Sequence, residues 1–219
     1  MKLLALADIH SDFERFSVND LPAADVMLFA GDLTDNGIRD PVALSLATTW
    51  LDAAAARYGL VIAIPGNHDV GLSGSCLPAV NGVRWVQGIT TSFSDCSASQ
   101  IYKLHGVNLS PSYAMPELEA RWDFMTSDEL TETVAYGFEP VDIVLSHAPP
   151  YGVLDGYSPE DGGEVLHIGS RALLSYIHRC APALVICGHV HGAHGIAEAS
   201  ANTLVYNVAE TPTLIEIPS

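Results

Sequence analysis

Apolar residues in this chain come in short, dense runs that stop at polar clusters. Residues 3–7, LLALA, end at Asp8, and residues 25–30, DVMLFA, end at Gly31-Asp32. Residues 60–64, LVIAI, end at Pro65-Gly66-Asn67. Residues 141–145, VDIVL, end at Ser146-His147, and 183–187, ALVIC, end at Gly188-His189. Runs of this length bounded by turn formers read as buried strands. Residues 41–58 read as a helix, with Pro41 in its first turn and Val42, Leu44, Leu46, Trp50 and Leu51 as its apolar positions. A second helix covers 170–180, and another starts near Thr126-Ser127-Asp128-Glu129, behind a Ser/Thr cap. Between about 70 and 140 the pattern loosens. Short strands fit 83–86, 89–93, 100–104 and 106–109, with Gly82, Gly88 and Gly106 as turns. Further strands fit 193–197, 203–207 and 213–217. The layout is α/β, and 1–219 reads as one domain.

Composition narrows the possible partners. The chain has 26 acidic residues against 9 basic ones, a formal charge of −17. Such a surface repels a phosphate backbone, so long nucleic acid is not an expected partner. A small phosphorylated substrate remains open, because bound cations reverse the local field. No apolar run reaches the ~18 residues of a membrane span. The opening MKLLALADIH reads as a strand and not a leader, since Asp8 interrupts it and no small-residue cleavage site follows. A cytoplasmic protein is expected. The four cysteines, Cys76, Cys96, Cys180 and Cys187, form no C-x-x-C pair. Cys180 and Cys187 read as reduced core residues, and a Cys76–Cys96 bridge is disfavoured in a reducing compartment.

The polar clusters carry the chemistry. In α/β layers, ligand sites gather at the carboxyl ends of strands. Here five strand ends deliver Asp8-Ile9-His10, Gly31-Asp32, Gly66-Asn67-His68-Asp69, Ser146-His147 and Gly188-His189-Val190-His191. Carboxylate, imidazole and amide oxygen suit Mn²⁺, Fe²⁺, Zn²⁺ or Co²⁺. Asp8 and His10 alternate at a strand end, so both can face one site with Ile9 turned to the core; His189 and His191 repeat this around Val190. A carboxylate such as Asp32 can bridge two cations ~3.5–4 Å apart. Gly31, Gly66 and Gly188 each precede a ligand, where they allow a sharp turn and leave room for substrate.

In order and spacing these five blocks resemble the calcineurin-like metallophosphoesterase family, from residue 3 to about 210. The loop Ser146-His147-Ala148-Pro149-Pro150-Tyr151-Gly152 is similar to that of its small phosphodiesterases. The resemblance implies a four-layer α-β-β-α sandwich: two mixed β-sheets face to face, flanked by helices, with the metal site at the strand carboxyl ends. It implies two divalent ions, with Mn or Fe favoured. Asp8, His10, Asp32 and His191 would hold one, and Asp32, Asn67, His147 and His189 the other. The expected reaction is hydrolysis of a phosphate ester, foremost a small phosphodiester such as a cyclic nucleotide, by a hydroxide bridging the ions. A phosphomonoesterase or nucleotide pyrophosphatase is the alternative within the class. A non-catalytic metal-bearing scaffold is the alternative outside it, although such a scaffold would be expected to lose His68 or a ligand.

Catalysis is expected from His68, Asp69 and Asn67. Asn67 and His68 would contact the phosphoryl oxygens. His68 would protonate the leaving oxygen, and Asp69 would orient it and raise its basicity, with a loop cap as the competing reading. Asp35 reads either as support for a ligand or as a turn residue. His105 and His178 read as surface or satisfied core, His194 as a neighbour of the His191 loop, and His167 as facing substrate from the 155–169 loop. Tyr113, Trp122 and Phe124 read either as small-core packing or as a wall for stacking a base. Asn207 reads as backbone support. Specificity is expected to reside in 70–140 and 151–169.

Overall fold

The computed structural model describes residues 1–94, 99–113, 115–137, 139–159 and 162–218. Its elements are β1 (Lys2–Leu6), β2 (Val26–Ala30), α1 (Pro41–Tyr58), β3 (Val61–Ile64), β4 (Val83–Trp85), β5 (Ile89–Ser94), β6 (Ile101–Val107), β7 (Ser110–Pro111), β8 (Met125–Thr126), α2 (Glu129–Tyr136), β9 (Ile143–Ser146), β10 (Gly156–Tyr157), β11 (Leu166–His167), α3 (Arg171–Cys180), β12 (Leu184–Cys187), β13 (Gly195–Ser200), β14 (Thr203–Asn207) and β15 (Thr213–Glu216). Two large mixed sheets have the orders β15-β1-β2-β3-β4 and β13-β14-β12-β9-β6-β5. In the first sheet only β15 runs antiparallel to its neighbour. In the second, β9, β12, β14 and β6 are parallel, and β13 and β5 close the edges antiparallel.

The layers follow from which side chains are buried together. Leu3, Ala5, Leu28, Ile62 and Ile64 of one sheet pack against Leu104, Ile143, Leu145 and Ile186 of the other. The outer face of the first sheet, Leu4, Leu6, Met27, Phe29 and Val61, packs on α1. The outer face of the second, Val144, Val185 and Val205, packs with Tyr136 of α2 and with Leu173, Tyr176 and Ile177 of α3. Central strands buried on both faces explain the unbroken apolar runs in the sequence.

Three local expectations change. The buried face of α1 is Ala43, Ala47, Trp50, Leu51, Ala54, Ala55 and Tyr58, whereas Val42 and Leu46 are exposed. Alanines let the helix lie close to the sheet, and Asp40 caps it by accepting from the amides of Val42 and Ala43. The cap of α2 is Asp128, which accepts from Leu130 N. The stretches 100–104 and 106–109 form one strand, β6, with Gly106 inside it. A Cβ on Gly106 would lie 2.1 Å from the Val86 carbonyl oxygen, so its glycine serves a close backbone approach and not a turn. Cys187 is fully buried and Cys180 packs at the edge of the α3 cluster, as expected. Cys96, and with it the Cys76–Cys96 question, lies outside the described residues. Among the described residues no helix is long and apolar enough to cross a membrane.

Candidate metal centre

Both sheets deliver side chains to one seam. β1, β2 and β3 lead into Asp8/His10, Asp32 and Asn67/His68; β9 and β12 lead into His147 and His189/His191. The backbone achieves this differently from the expected strand alternation. β1 stops at Leu6, and Asp8, His10, Asp32 and His189 adopt positive φ angles of 59°, 48°, 55° and 68°. Four of the seven proposed ligands thus occupy left-handed conformations, which Asp and His tolerate better than most residues. Ile9 and Val190 are buried as expected. Gly66 and Gly188 make room for ligands and not for substrate: a Cβ on Gly66 would lie 2.3 Å from Asp32 Oδ1, and one on Gly188 2.2 Å from Asp8 Oδ2.

The seven side chains converge. Asp32 Oδ2 lies 3.6 Å from His10 Nε2 and 3.4 Å from His147 Nε2, between the two halves of the site. His191 Nε2 is 3.4 Å from Asp8 Oδ1 and 3.3 Å from His10 Nε2. On the other side His147 Nε2 is 2.9 Å from Asn67 Oδ1, and the His147 and His189 rings are 5.0 Å apart. Asp8, His10 and His191 offer atoms within 4.8 Å of one another, as do Asp8, Asp32 and His147. Imidazole nitrogens aimed at one another around two carboxylates are what a shared cation requires. The donors, all oxygen and nitrogen, fit divalent first-row ions.

Surrounding groups fix the proposed ligands. His147 Nδ1 is 2.8 Å from the Ala30 carbonyl oxygen, leaving Nε2 to face the site. His10 Nδ1 is 3.1 Å from Asp35 Oδ1, so Asp35 supports a proposed ligand. His189 N donates to the Asp8 carboxylate at 3.0 Å. Asn207 Nδ2 donates to the Leu154 and Val190 carbonyls, holding the His189–His191 loop. Sequence reasoning missed Glu210, whose carboxylate lies 3.8 Å from His191 Nδ1; nothing local in the chain marks it. Burial alone would raise the Asp32 carboxyl, but His147, His10 and His68 together hold it well below the usual range. Burial depresses His147, yet the Asp32 carboxylate overrides it and pushes the ring up to about 9. Burial, then His147, pushes His189 down to about 3, so its imidazole is neutral and able to donate a lone pair at pH 7.

His68 and Asp69 part company. The His68 amide donates to Asp32 Oδ1 at 2.8 Å, its Nδ1 is 3.3 Å from the Asp35 carbonyl oxygen, and burial lowers its pKa. Its ring stacks on Trp122 with centroids 3.9 Å apart and planes at 30°. The fully buried Asp69 carboxylate instead accepts from Leu33 N, Thr34 N, Thr34 Oγ1 and Gly66 N. It therefore clasps the Asp32 and Asn67 loops together, the loop-cap reading. Asp69→Ala would orphan buried donors at about 1–3 kcal/mol each. Destabilisation of roughly 3 kcal/mol or more is expected, read from denaturant midpoints, with Asp69→Asn milder.

The remaining histidines divide as follows. His105 is buried, with Nε2 2.7 Å from the Ala135 carbonyl oxygen, and His178 and His194 are exposed. His167 Nδ1 is 2.7 Å from the buried Asp155 carboxylate. Tyr113 donates its hydroxyl to Glu132, a packing role. Because the site joins both sheets, ligand binding should stabilise the fold. Saturation of Mn²⁺ to 100 Kd adds about 2.7 kcal/mol, roughly 5–10 °C in Tm by differential scanning fluorimetry against a chelated control.

Comparison with known proteins follows the same lines. The family described as calcineurin-like phosphoesterase matches residues 1–193. UPF0046 protein K07C11.7 of Caenorhabditis elegans is 28% identical over 217 residues, 96% of this chain and 70% of its own length. Human metallophosphoesterase domain-containing protein 1 is 24% identical, over 100% of this chain and 71% of its own. The crystal structure of phosphopantetheinyl hydrolase from Mycobacterium tuberculosis shares the fold, with a TM-score of 0.63 at 14% identity, covering 95% of this chain and 88% of that one.

Proposed function

The chain belongs to the calcineurin-like phosphoesterase family, a metal-dependent phosphoester hydrolase, and from that premise we propose that its substrate is a small phosphodiester, a cyclic nucleotide being one form. One observation carries the choice of a diester. Two cavities, of about 360 and 250 Å³, meet at a shared rim formed by Asn67, His68, Tyr157 and His189. The first also touches Asp32 and His191; the second leads away from the ligands. Phosphorus held at that rim has the second cavity beside it for one ester arm, while the first, beyond the part the ions would fill, continues to Gly156, Ser158 and Gly192, where the other arm would lie.

In this reading Asp8, His10, Asp32 and His191 would hold one ion, and Asp32, Asn67, His147 and His189 would hold the other. Two such ions would supply Lewis acidity and offset charge developing on phosphorus. The Asn67 amide donates to a phosphoryl oxygen. His68 stands where it would pass a proton to the leaving oxygen; burial lowers its pKa, and the Asp32 carboxylate and the Asp35 carbonyl oppose that shift. Trp122 restrains the imidazole plane, and Asp69 sets the loops on which Asn67 and Asp32 ride. Manganese or iron and a cytoplasmic setting belong to the same reading; the oxygen and nitrogen donor set supports divalent first-row ions.

The test is a panel of bis-p-nitrophenyl phosphate, p-nitrophenyl phosphate and cyclic nucleotides on metal-reconstituted protein. A diester kcat/KM at least about tenfold above the monoester is the expected result, corresponding to about 1.4 kcal/mol of differential transition-state binding. A monoester preference would replace the diester reading with a phosphatase.

A further inference from the structure

The cavity leading away from the ligands has an unusual lining for an enzyme of phosphate esters. Its walls are chiefly Met115, Leu118, Trp122, Met125, Tyr157 and Ile168, with Pro111 and Ser112, whose hydroxyl is donated to Glu119; Asn67, His68 and His189 close the metal end. Among the described residues, no lysine, arginine, aspartate or glutamate lines it. A second phosphate or a carboxylate placed there would lose hydration without meeting a countercharge in the lining; the Arg121 guanidinium packs on Trp122, 4.6 Å from the ring centroid, and is not part of that lining. A flat apolar group would exchange water for thioether, aliphatic and aromatic contacts. His68 stacks on the Trp122 ring and the Arg121 guanidinium also packs over it, so the ring is held as a rigid wall.

We infer that this cavity is a specificity pocket for an uncharged aromatic ester group, such as a nucleobase-bearing or aryl arm, and that it rejects substrates carrying a further anionic group on that arm. The inference rests on the proposed function only in placing phosphorus at the rim of Asn67, His68 and His189. Met115, Leu118 and Met125 make the pocket adaptable, because unbranched and thioether side chains repack around different rings. The lining comes from the two segments where the repeat of strand and ligand is interrupted, the stretch around β7 and β8 and the β10–β11 hairpin.

Inhibition constants test this without differences in leaving-group reactivity. The probes are methylphosphonate, phenylphosphonate and 4-carboxyphenylphosphonate as monoester analogues, and dimethyl and diphenyl phosphate as diester analogues. Each is measured against one chromogenic substrate on metal-loaded protein. The phenyl compounds are expected to bind about tenfold tighter than the methyl ones, and the added carboxylate to remove that gain. Met125→Lys should shrink the phenyl advantage below about threefold and favour the carboxyphenyl compound. Leu118→Lys, at a half-exposed position, makes the same test if Met125→Lys fails to bind metal. Equal binding of phenyl and methyl compounds, or a phenyl advantage untouched by lysine, would overturn the inference. A phenyl advantage in the phosphonates with no diester turnover would sink the diester reading and leave the pocket assignment standing.

Discussion

Asp32→Asn is expected to strip both metal positions and abolish turnover while the chain stays folded. Asp32 Oδ2 stands 3.6 Å from His10 Nε2 and 3.4 Å from His147 Nε2, so this one oxygen belongs to both halves of the site. Asparagine keeps the shape and removes the negative charge that two cations would share. Its amide also leaves His147 and His10 without the carboxylate that draws them together. A divalent ion stabilises the transition state by several kcal/mol, so loss of rate on the order of a thousandfold or more is expected. Metal content by plasma mass spectrometry, measured beside kcat, decides the matter. Two bound equivalents and a normal rate would remove Asp32 from the centre.

The second large effect is expected at His68, with the opposite metal result. His68→Ala should retain two equivalents and lose about 10²–10⁴ in kcat, the usual worth of a positioned acid or base. The loss should be smaller for a p-nitrophenolate leaving group, which needs little protonation, than for an alkoxide. That contrast separates proton transfer from simple loss of a phosphoryl contact, which would affect both leaving groups alike. Metal loss in His68→Ala would instead make His68 a ligand, which its place within 4.8 Å of His10 and Asp32 permits.

The two positions also show how far the chain could be read before it was folded. Strands that end at ligands were legible because burial on both faces leaves unbroken apolar runs, and each run stops at a polar residue. Strands that lead to no polar cluster were harder. β6 was split at Gly106 because glycine usually signals a turn, and the Val86 carbonyl that excludes a side chain comes from 20 residues earlier. On α1 the alanines carry the packing, and alanine announces no face. Asp69 follows His68 in sequence, which suggested a pair. Adjacent residues here face opposite ways, and the donors that claim Asp69 come from Leu33 and Thr34 as well as nearby Gly66. Asp35 had two open readings, and only the fold brings it to His10. The stacking of Trp122 on His68 and the approach of Glu210 to His191 are long-range and leave no local trace.

The left-handed backbone at Asp8, His10, Asp32 and His189 reaches beyond chemistry into ancestry. A lineage that abandoned the reaction would be released from holding metal but not from making these turns. β-branched residues are strongly disfavoured at such φ values, while asparagine, aspartate, histidine and glycine are tolerated. Descendants that lose activity should therefore drift within that narrow alphabet at these four sites, yet vary more widely at the partly exposed His68, while the fully buried His147 stays limited to side chains its cavity can pack. A retired copy of this gene would keep the outline of its metal site long after the ions had gone.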